Sequence, residues 1–273
     1  MKRPELLIPA SSLEVLKTAV IFGADAVYIG GETFSLRAKA KNFSHEDMKE
    51  GIAFAHAHGV RVHVTANILA HNYDIEPAGK YFRELAELAP DAIIVADPGM
   101  IMLAKENCPD IEIHLSTQAN NTNYMTYRFW YGQGVKRVVS ARELSLKEIK
   151  EIREKIPADM EIESFIHGAM CISYSGRCLL SNYFTGRDAN RGACTHPCRW
   201  KYAVVEESRP GEYMPVYENE RGTYIFNSKD LCMIEHIPEM IDAGIDSFKI
   251  EGRMKTALYV ATVARTYRKA IDA

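Results

Sequence analysis

The sequence predicts a (β/α)8 barrel with one long cysteine-rich insertion, and three observations carry this prediction. Short β-branched runs alternate with helical segments eight times along the 273 residues, which is typical of this fold. No G-x-G-x-x-G motif follows the first strand, which weakens the alternative of an open doubly wound sheet. One connection, 167–230, is about ten times longer than usual for a loop after a barrel strand.

Each predicted strand is followed by a predicted helix. Ser44, with Asp47 three residues later, and Ser145, before a Lys/Glu-rich segment, mark two helix starts. Helix 1 begins after Ser11 or Ser12 and ends at Gly23. The predicted strands are 6–10, 26–30, 61–69, 92–97, 112–116, 137–141, 161–166 and 247–250, and the later helices are 45–59, 76–88, 99–106, 121–131, 146–154, 231–243 and 256–271.

We expect one barrel domain over 1–273, with the insertion at 167–230 leaving the carboxyl end of strand seven. Two β-like runs in the insertion, 202–206 and 223–227, predict a small hairpin. Active sites of such barrels lie at the carboxyl ends of the strands. A long insertion at that end therefore favours a functional role over a decorative one.

Composition excludes several classes of protein. With 47% hydrophobic and 25% charged residues, the chain is neither disordered nor fibrous. No apolar stretch is long enough to span a membrane, and the first residues lack the apolar core of a signal peptide, so we expect a cytoplasmic protein without membrane contact. The net charge of −3 means that a nucleic-acid partner would need a local basic patch.

Five of the six cysteines fall between positions 171 and 232, which indicates metal or cluster ligation. Disulfides are not expected in a reducing compartment, and the glycines and polar residues nearby argue against a buried apolar role. The spacing Cys171-x6-Cys178-x15-Cys194-x3-Cys198 has only one pair close enough for a zinc knuckle. A [4Fe–4S] cluster tolerates irregular spacing, so both kinds of site stay open from spacing alone.

A hydrolytic site has little support in the sequence. There is no H-E-x-x-H zinc motif and no G-x-S-x-G nucleophile elbow. Cys171, with His167 four residues upstream, is the only candidate for a thiol nucleophile beside a histidine. His56, His58 and His63 are interpreted as structural, because they lie on opposed faces without a nearby carboxylate.

Charged residues collect at the predicted carboxyl ends of the strands, where they form a solvated rim or a site. The position favours a site over a rim. The candidates are Arg37 after strand two, Arg142 and Glu143 after strand six, Glu163 and His167 in and after strand seven, and Glu251, Arg253 and Lys255 after strand eight.

Several motifs resemble the peptidase U32 family, the collagenase-like proteins. They are 163–171 (ESFIHGAMC), 174–181 (YSGRCLLS), 186–188 (GRD), 191–200 (RGACTHPCRW), 227–231 (NSKDL) and 249–253 (KIEGR). The resemblance extends over nearly the whole chain. It is closest to the branch that hydroxylates transfer RNA at the wobble uridine.

The resemblance implies an oxygen-independent hydroxylase with a barrel core and a [4Fe–4S] cluster. It implies Cys171, Cys178, Cys194 and Cys198 as cluster ligands, with Cys232 as the alternate for one of them. Prephenate is the implied co-substrate. The implied partners are tRNA, a small dicarboxylate and a possible second subunit of the same family. Members usually carry a C-terminal β domain, which we expect to be absent from this chain.

Prephenate carries two carboxylates, and planar guanidinium groups bind carboxylates with two hydrogen bonds. We therefore expect Arg142 and Arg253 to grip the co-substrate, with Arg37 as a third candidate. Glu163 or His167 would move protons during oxygen transfer. The alternatives within the resemblance are a hydroxylase of ribosomal RNA or of a quinone precursor, and a peptidase.

Overall fold

A closed barrel of eight parallel strands forms the centre of the protein, which confirms the predicted fold. The computed structural model describes residues 3–35, 42–171, 173–175, 177–200, 202–215 and 230–273. In chain order the described strands are β1 (Glu5–Pro9), β2 (Ala26–Gly30), β3 (Arg61–Ala66), β4 (Ala92–Val95), β5 (Glu112–Leu115), β6 (Arg137–Val139), β7 (Glu161–Gly168), β8 (Ala203–Val204), β9 (Met214–Pro215), β10 (Leu231–Cys232) and β11 (Ser247–Ile250).

The barrel closes because its first and last strands pair. β1 lies between β2 and β11, the strands β2 to β6 pair in sequence order, and β7 lies between β6 and β11. All of these pairings are parallel. The carboxyl ends of all eight strands therefore meet at one rim.

Helices cover the outside of the barrel and begin at the predicted caps. Ser12 Oγ accepts from the Val15 backbone N–H, and Ser44 Oγ accepts from Asp47 at 3.1 Å. Ser145 begins its helix with a complete capping box. The helices are α1 (Leu13–Ile21), α2 (His45–Ala57), α3 (Asn72–Leu88), α4 (Pro98–Asn107), α5 (Tyr124–Gly132), α6 (Leu146–Lys155), α7 (Leu180–Thr185), α8 (Ile237–Asp242) and α9 (Ala257–Asp272).

Several predicted elements differ from the structure at their ends. The helix predicted at 231–243 begins only at Ile237, because β7 extends beyond the predicted strand end and its last residues pair with antiparallel β10. α3 begins four residues early, where Asp74 Oδ2 accepts from the His71 backbone N–H at 2.8 Å. In the insertion β8 pairs with β9, whereas the predicted partner at 223–227 lies outside the described residues.

The barrel interior is charged towards the amino-terminal ends of the strands. Arg137 is 1% exposed and binds Glu5 at 2.5 Å, Glu161 at 2.6 Å and Glu163 at 3.2 Å. Burial raises the pKa of Glu5, whereas the Arg137 guanidinium lowers it. The net effect is a pKa below the usual value. The main apolar core lies outside this network, between the strands and the helices.

None of the described helices combines the length and the apolar character needed to cross a lipid bilayer.

Candidate active site at the carboxyl end of the barrel

Four cysteine thiols share one neighbourhood beside the end of β7. Burial raises the pKa of Cys198, and the thiols of Cys194, Cys171 and Cys178 raise it further, while Arg199 lowers it. Among the described residues, no three cysteine sulfurs lie within 4.8 Å of one another. The ligands of one zinc ion, at about 2.3 Å from the metal, lie within about 4 Å of each other. A [4Fe–4S] cluster, whose irons are spread apart, stays the prediction for these four thiols.

A backbone turn between two of these cysteines places an N–H donor next to a sulfur. His196 adopts a left-handed backbone conformation with φ of 55° between Cys194 and Cys198, which is uncommon for a residue other than glycine. This turn directs the His196 backbone N–H to Cys194 Sγ at 3.4 Å. Hydrogen bonds to the sulfurs are one of the protein's means of tuning a cluster.

The alternate ligand Cys232 lies in β10, where it pairs with His167. Its side chain is exposed, and its Sγ is 3.8 Å from Tyr267 Oη. The three thiols that raise the pKa of Cys198 are the other predicted ligands. The choice between Cys198 and Cys232 as fourth ligand stays a prediction.

Arg142 connects the cysteine site to the barrel mouth. Its guanidinium carbon lies 4.0 Å above the centre of the Phe165 ring, one Nη is 3.6 Å from Cys171 Sγ, and the other is 3.5 Å from Glu251 Oε2. Its Nε is buried without a hydrogen-bond partner. Such a donor is costly to bury unless a ligand accepts from it. That Arg142 binds an anion beside the thiols stays a prediction.

The second predicted clamp, Arg253, is buried against the other side of the mouth. Arg253 is 5% exposed, and its Nη1 donates to Ser35 Oγ at 2.6 Å and to Thr65 Oγ1 at 2.8 Å. A Cβ at Gly30 would collide with this guanidinium nitrogen. The glycine at the end of β2 therefore makes room for the arginine.

Three other charged residues predicted at the mouth are either exposed or outside the described residues. Glu143 is exposed, and Lys255 is exposed with its Nζ 5.1 Å from the centre of the Tyr259 ring. Arg37 lies outside the described residues. The structure therefore brings Arg142, Glu251 and Cys171 together, and it does not place Glu143 in that group.

His167 is held in a defined tautomer at the end of β7. Tyr267 Oη donates to the Ile166 carbonyl at 3.0 Å, so His167 Nδ1 donates to the same hydroxyl at 3.2 Å. Its Nε2 is then left with the lone pair. Burial lowers the pKa of His167, which keeps the ring neutral at pH 7 and able to accept a proton.

Glu163 lies deeper than the sequence predicts. It is completely buried, its Oε1 accepts from Lys249 Nζ at 2.6 Å, and its Oε2 accepts from Arg137 at 3.2 Å. Its proposed part in proton transfer stays a prediction. Sequence analysis also missed Phe165 and Lys249. Because side chains alternate between the two faces of a strand, counting every second residue of β7 and β11 would have placed both in the barrel interior.

The insertion is fastened to the barrel through α3. Arg191 binds Asp74 with two hydrogen bonds of 2.8 and 3.0 Å, and its guanidinium lies 5.0 Å from the Tyr73 ring centre. Bidentate pairs of this kind are among the stronger hydrogen bonds in proteins. The hydrogen bond from Arg191 holds the pKa of Asp74 below its usual value.

Asp74→Asn is expected to lower the free energy of unfolding by about 1.5–3 kcal/mol at pH 7. Since the pKa of Asp74 is lowered by folding, its stabilisation is present above the unfolded value near pH 4 and is lost as pH falls through the folded pKa. Urea unfolding at pH 7 and below pH 4 measures this. The exposed control Asp110→Asn should match the parent protein at both values, and an equal loss from Asp74→Asn at both pH values would contradict the assignment.

The fold and the site together define a barrel protein with four clustered thiols and two arginines at the carboxyl ends of its strands. The family model for peptidase family U32 matches residues 11–273. The chain belongs to this family.

Named relatives and a solved structure agree with this assignment. The chain is 50% identical over 272 residues to tRNA hydroxylation protein P1 of Bacillus subtilis, covering 100% of this chain and 64% of that protein. It is 45% identical over 311 residues to tRNA hydroxylation protein P of Escherichia coli, covering 100% and 68%. The structure of a U32 peptidase matches with a TM-score of 0.57 at 15% identity, covering 91% of this chain and 93% of that one, which supports the fold alone.

Proposed function

We propose that this chain hydroxylates the wobble uridine of tRNA without molecular oxygen, using a [4Fe–4S] cluster and prephenate. The observation that carries the proposal is the position of Arg142, whose buried Nε is unpartnered and whose Nη1 lies 3.6 Å from Cys171 Sγ. This geometry would bind a carboxylate next to the cluster. The names of relatives at 45–50% identity supply the class of reaction, although the chain spans only 64% of the B. subtilis protein.

The proposed cluster is bound by Cys171, Cys178, Cys194 and Cys198. When bound, it would supply electron transfer or order the insertion. Arg142 orients the co-substrate, and stacking on Phe165 fixes the plane of its guanidinium. His167 Nε2 can accept a proton within the same rim of the barrel.

The proposed RNA surface lies on α7 and the segment after it. Tyr183 is 83% exposed, and its ring centre is 5.2 Å from that of Phe184, which in turn lies 6.1 Å from Trp200. Arg177 and Arg187 are exposed on the same insertion. Splayed RNA bases stack on aromatic rings while arginines bind phosphates, so this surface suits a single-stranded anticodon loop.

Arg142→Ala is expected to weaken prephenate binding about ten- to a hundredfold, because a charge-assisted hydrogen bond contributes about 1.5–3 kcal/mol. Iron content should stay unchanged, since arginine is not a cluster ligand. Calorimetric titration of the anaerobic protein with prephenate measures the effect. Arg128→Ala, on the exposed face of α5, is the matched control. Unchanged prephenate affinity in Arg142→Ala would remove the proposed anion site.

The function itself is tested by mass spectrometry of tRNA from a strain lacking this protein and any redundant hydroxylase. We expect the wobble uridine to lose one oxygen atom and to regain it when the chain is restored. Wobble hydroxylation that persists would overturn the proposal. Hydroxylation lost from ribosomal RNA or from a quinone precursor instead would favour the corresponding alternative.

A peptidase remains the second candidate because Cys171 is exposed and His167 lies near the same strand end. A colourless, iron-free protein that cleaves collagen peptides and is blocked by thiol reagents would favour it. Among the hydrogen bonds of the described residues, none joins Cys171 to His167. His167 Nδ1 is bonded instead to Tyr267 Oη.

A further inference from the structure

Two histidines meet inside the barrel without the partners that buried imidazoles need. His63 on β3 and His114 on β5 are both 0% exposed, and their ring centres lie 4.7 Å apart at 82°. Both nitrogens of His63 and Nδ1 of His114 are buried without a hydrogen-bond partner. Because each such group costs about 1–3 kcal/mol, three in one place point to a ligand-binding site.

A carboxylate completes the group. Ligand atoms of His63, His114 and Glu163 all lie within 4.8 Å of one another. The two oxygens of Glu163 accept one hydrogen bond each from Lys249 and Arg137, and an ionised carboxylate has about four lone-pair positions. Glu163 can therefore bind a cation without losing its present partners.

The second nitrogen of His114 is oriented as in a metal ligand. Its Nε2 lies 3.3 Å from Glu112 Oε2. When Nε2–H donates to that carboxylate, the lone pair remains on the unpartnered Nδ1. Metal-binding histidines almost always donate their other N–H to a carboxylate, carbonyl or water in this way.

The charge of the interior also suits a cation. Within the described residues, one connected ion-pair network joins five carboxylates to three lysine and arginine side chains. Burial lowers the pKa of both histidines well below the usual value, so neither adds a positive charge. The network therefore carries an excess of negative charge. Its members are Glu5, Asp91, Glu112, Glu161 and Glu163 with Arg61, Arg137 and Lys249.

We propose that His63, His114 and Glu163 bind one divalent transition-metal ion, such as Zn²⁺, inside the barrel. Two imidazoles and one carboxylate are a donor set that suits zinc and its neighbours in the first transition row. The site is separate from the cysteines. It lies towards the amino-terminal ends of the strands, where Glu112, the partner of His114, also lines a cleft of about 530 Å³.

The full chain is first stripped of metal with a chelator. Its cysteine site is then loaded with iron and sulfide, so that the thiols cannot take up the probe. The loaded protein is titrated with Zn²⁺, separated from free metal and analysed for zinc. We expect one zinc per chain in the parent protein. His63→Gln should abolish binding, and Glu112→Gln, which removes only the outer partner, should weaken it about 10–100-fold. The exposed control His56→Gln should bind like the parent.

Cobalt gives a readout that does not depend on any variant folding. In a difference spectrum against the cobalt-free protein, bound Co²⁺ should show the visible bands of nitrogen and oxygen ligation and no added thiolate charge-transfer band. Absence of zinc in the parent, equal zinc in His63→Gln, or a thiolate band with Co²⁺ would each overturn the proposal. A crystal structure of the Zn²⁺-treated protein with only a water among the three side chains would also overturn it.

Discussion

Replacing any one of Cys171, Cys178, Cys194 or Cys198 by serine is expected to remove most of the iron and sulfide from the anaerobically purified protein. Four cysteine thiolates hold a [4Fe–4S] cluster, so losing one weakens its binding, and the structure holds these four thiols in one neighbourhood. Because ligation energy is also folding energy, the insertion should become more sensitive to proteases in the same variants. Iron and sulfide counts per chain and limited proteolysis measure the two effects.

Two matched variants make this prediction selective. Cys108→Ser changes a buried thiol that donates to the Ala104 carbonyl at 3.0 Å and should leave the iron content unchanged. Cys232→Ser should also keep its iron, since Cys232 is placed with Tyr267 in β10. Full iron in Cys198→Ser together with loss of iron in Cys232→Ser would reassign the fourth ligand. Full iron in all four single variants would end the cluster assignment.

Arg137→Ala is expected to lower the free energy of unfolding by about 3–5 kcal/mol, since it leaves buried carboxylates without their shared cation. Glu5, Glu161 and Glu163 all bind this one guanidinium. Folding lowers the pKa of Glu5. The stabilisation by its ion pair with Arg137 is therefore present above the pKa of the unfolded chain, near 4, and is lost as pH falls through the pKa of the folded protein. The difference between parent and variant should therefore narrow towards low pH.

Urea unfolding as a function of pH measures this difference. Arg3→Ala is the control, because Arg3 forms exposed ion pairs with Asp25 and Asp272 that are worth under about 1 kcal/mol. A loss from Arg137→Ala as small as that from Arg3→Ala would show that the interior network does not stabilise the barrel.

The fold could be predicted because its signal is local. Alternating β-branched runs and capped helices are visible in the sequence, and Ser44 and Ser145 cap the helices they were expected to cap. Element ends were wrong where a distant segment decided them. β7 extends to Gly168 because β10 pairs with its last residues, and nothing within 161–168 indicates that partner.

The site could be predicted by residue type more than by position. The cysteines were recognised from clustering, and Arg142 was recognised from its place at a strand end. Glu163 was expected at the mouth but is fully buried, because strand register sets it against Lys249 and Arg137 from other strands. That register depends on how eight strands close the barrel, which no short stretch of sequence contains.

The interior histidines were missed for a related reason. His63 was interpreted as structural, since His56 and His58 lie on opposed faces and no carboxylate is close in sequence. Its neighbours in space, His114 and Glu163, come from strands 51 and 100 positions away. Only the three-dimensional structure brings the three side chains within 4.8 Å of each other.

The most direct test of the proposed function is the reaction itself under strictly anaerobic conditions. The cluster-loaded chain is incubated with unmodified tRNA, prephenate and a chemical reductant, and the wobble nucleoside is analysed by mass spectrometry. We expect a gain of one oxygen atom that requires prephenate, the four cysteines and Arg142. A protein with intact cluster and bound prephenate that leaves the uridine unchanged, or that adds oxygen equally well without prephenate, would contradict the account.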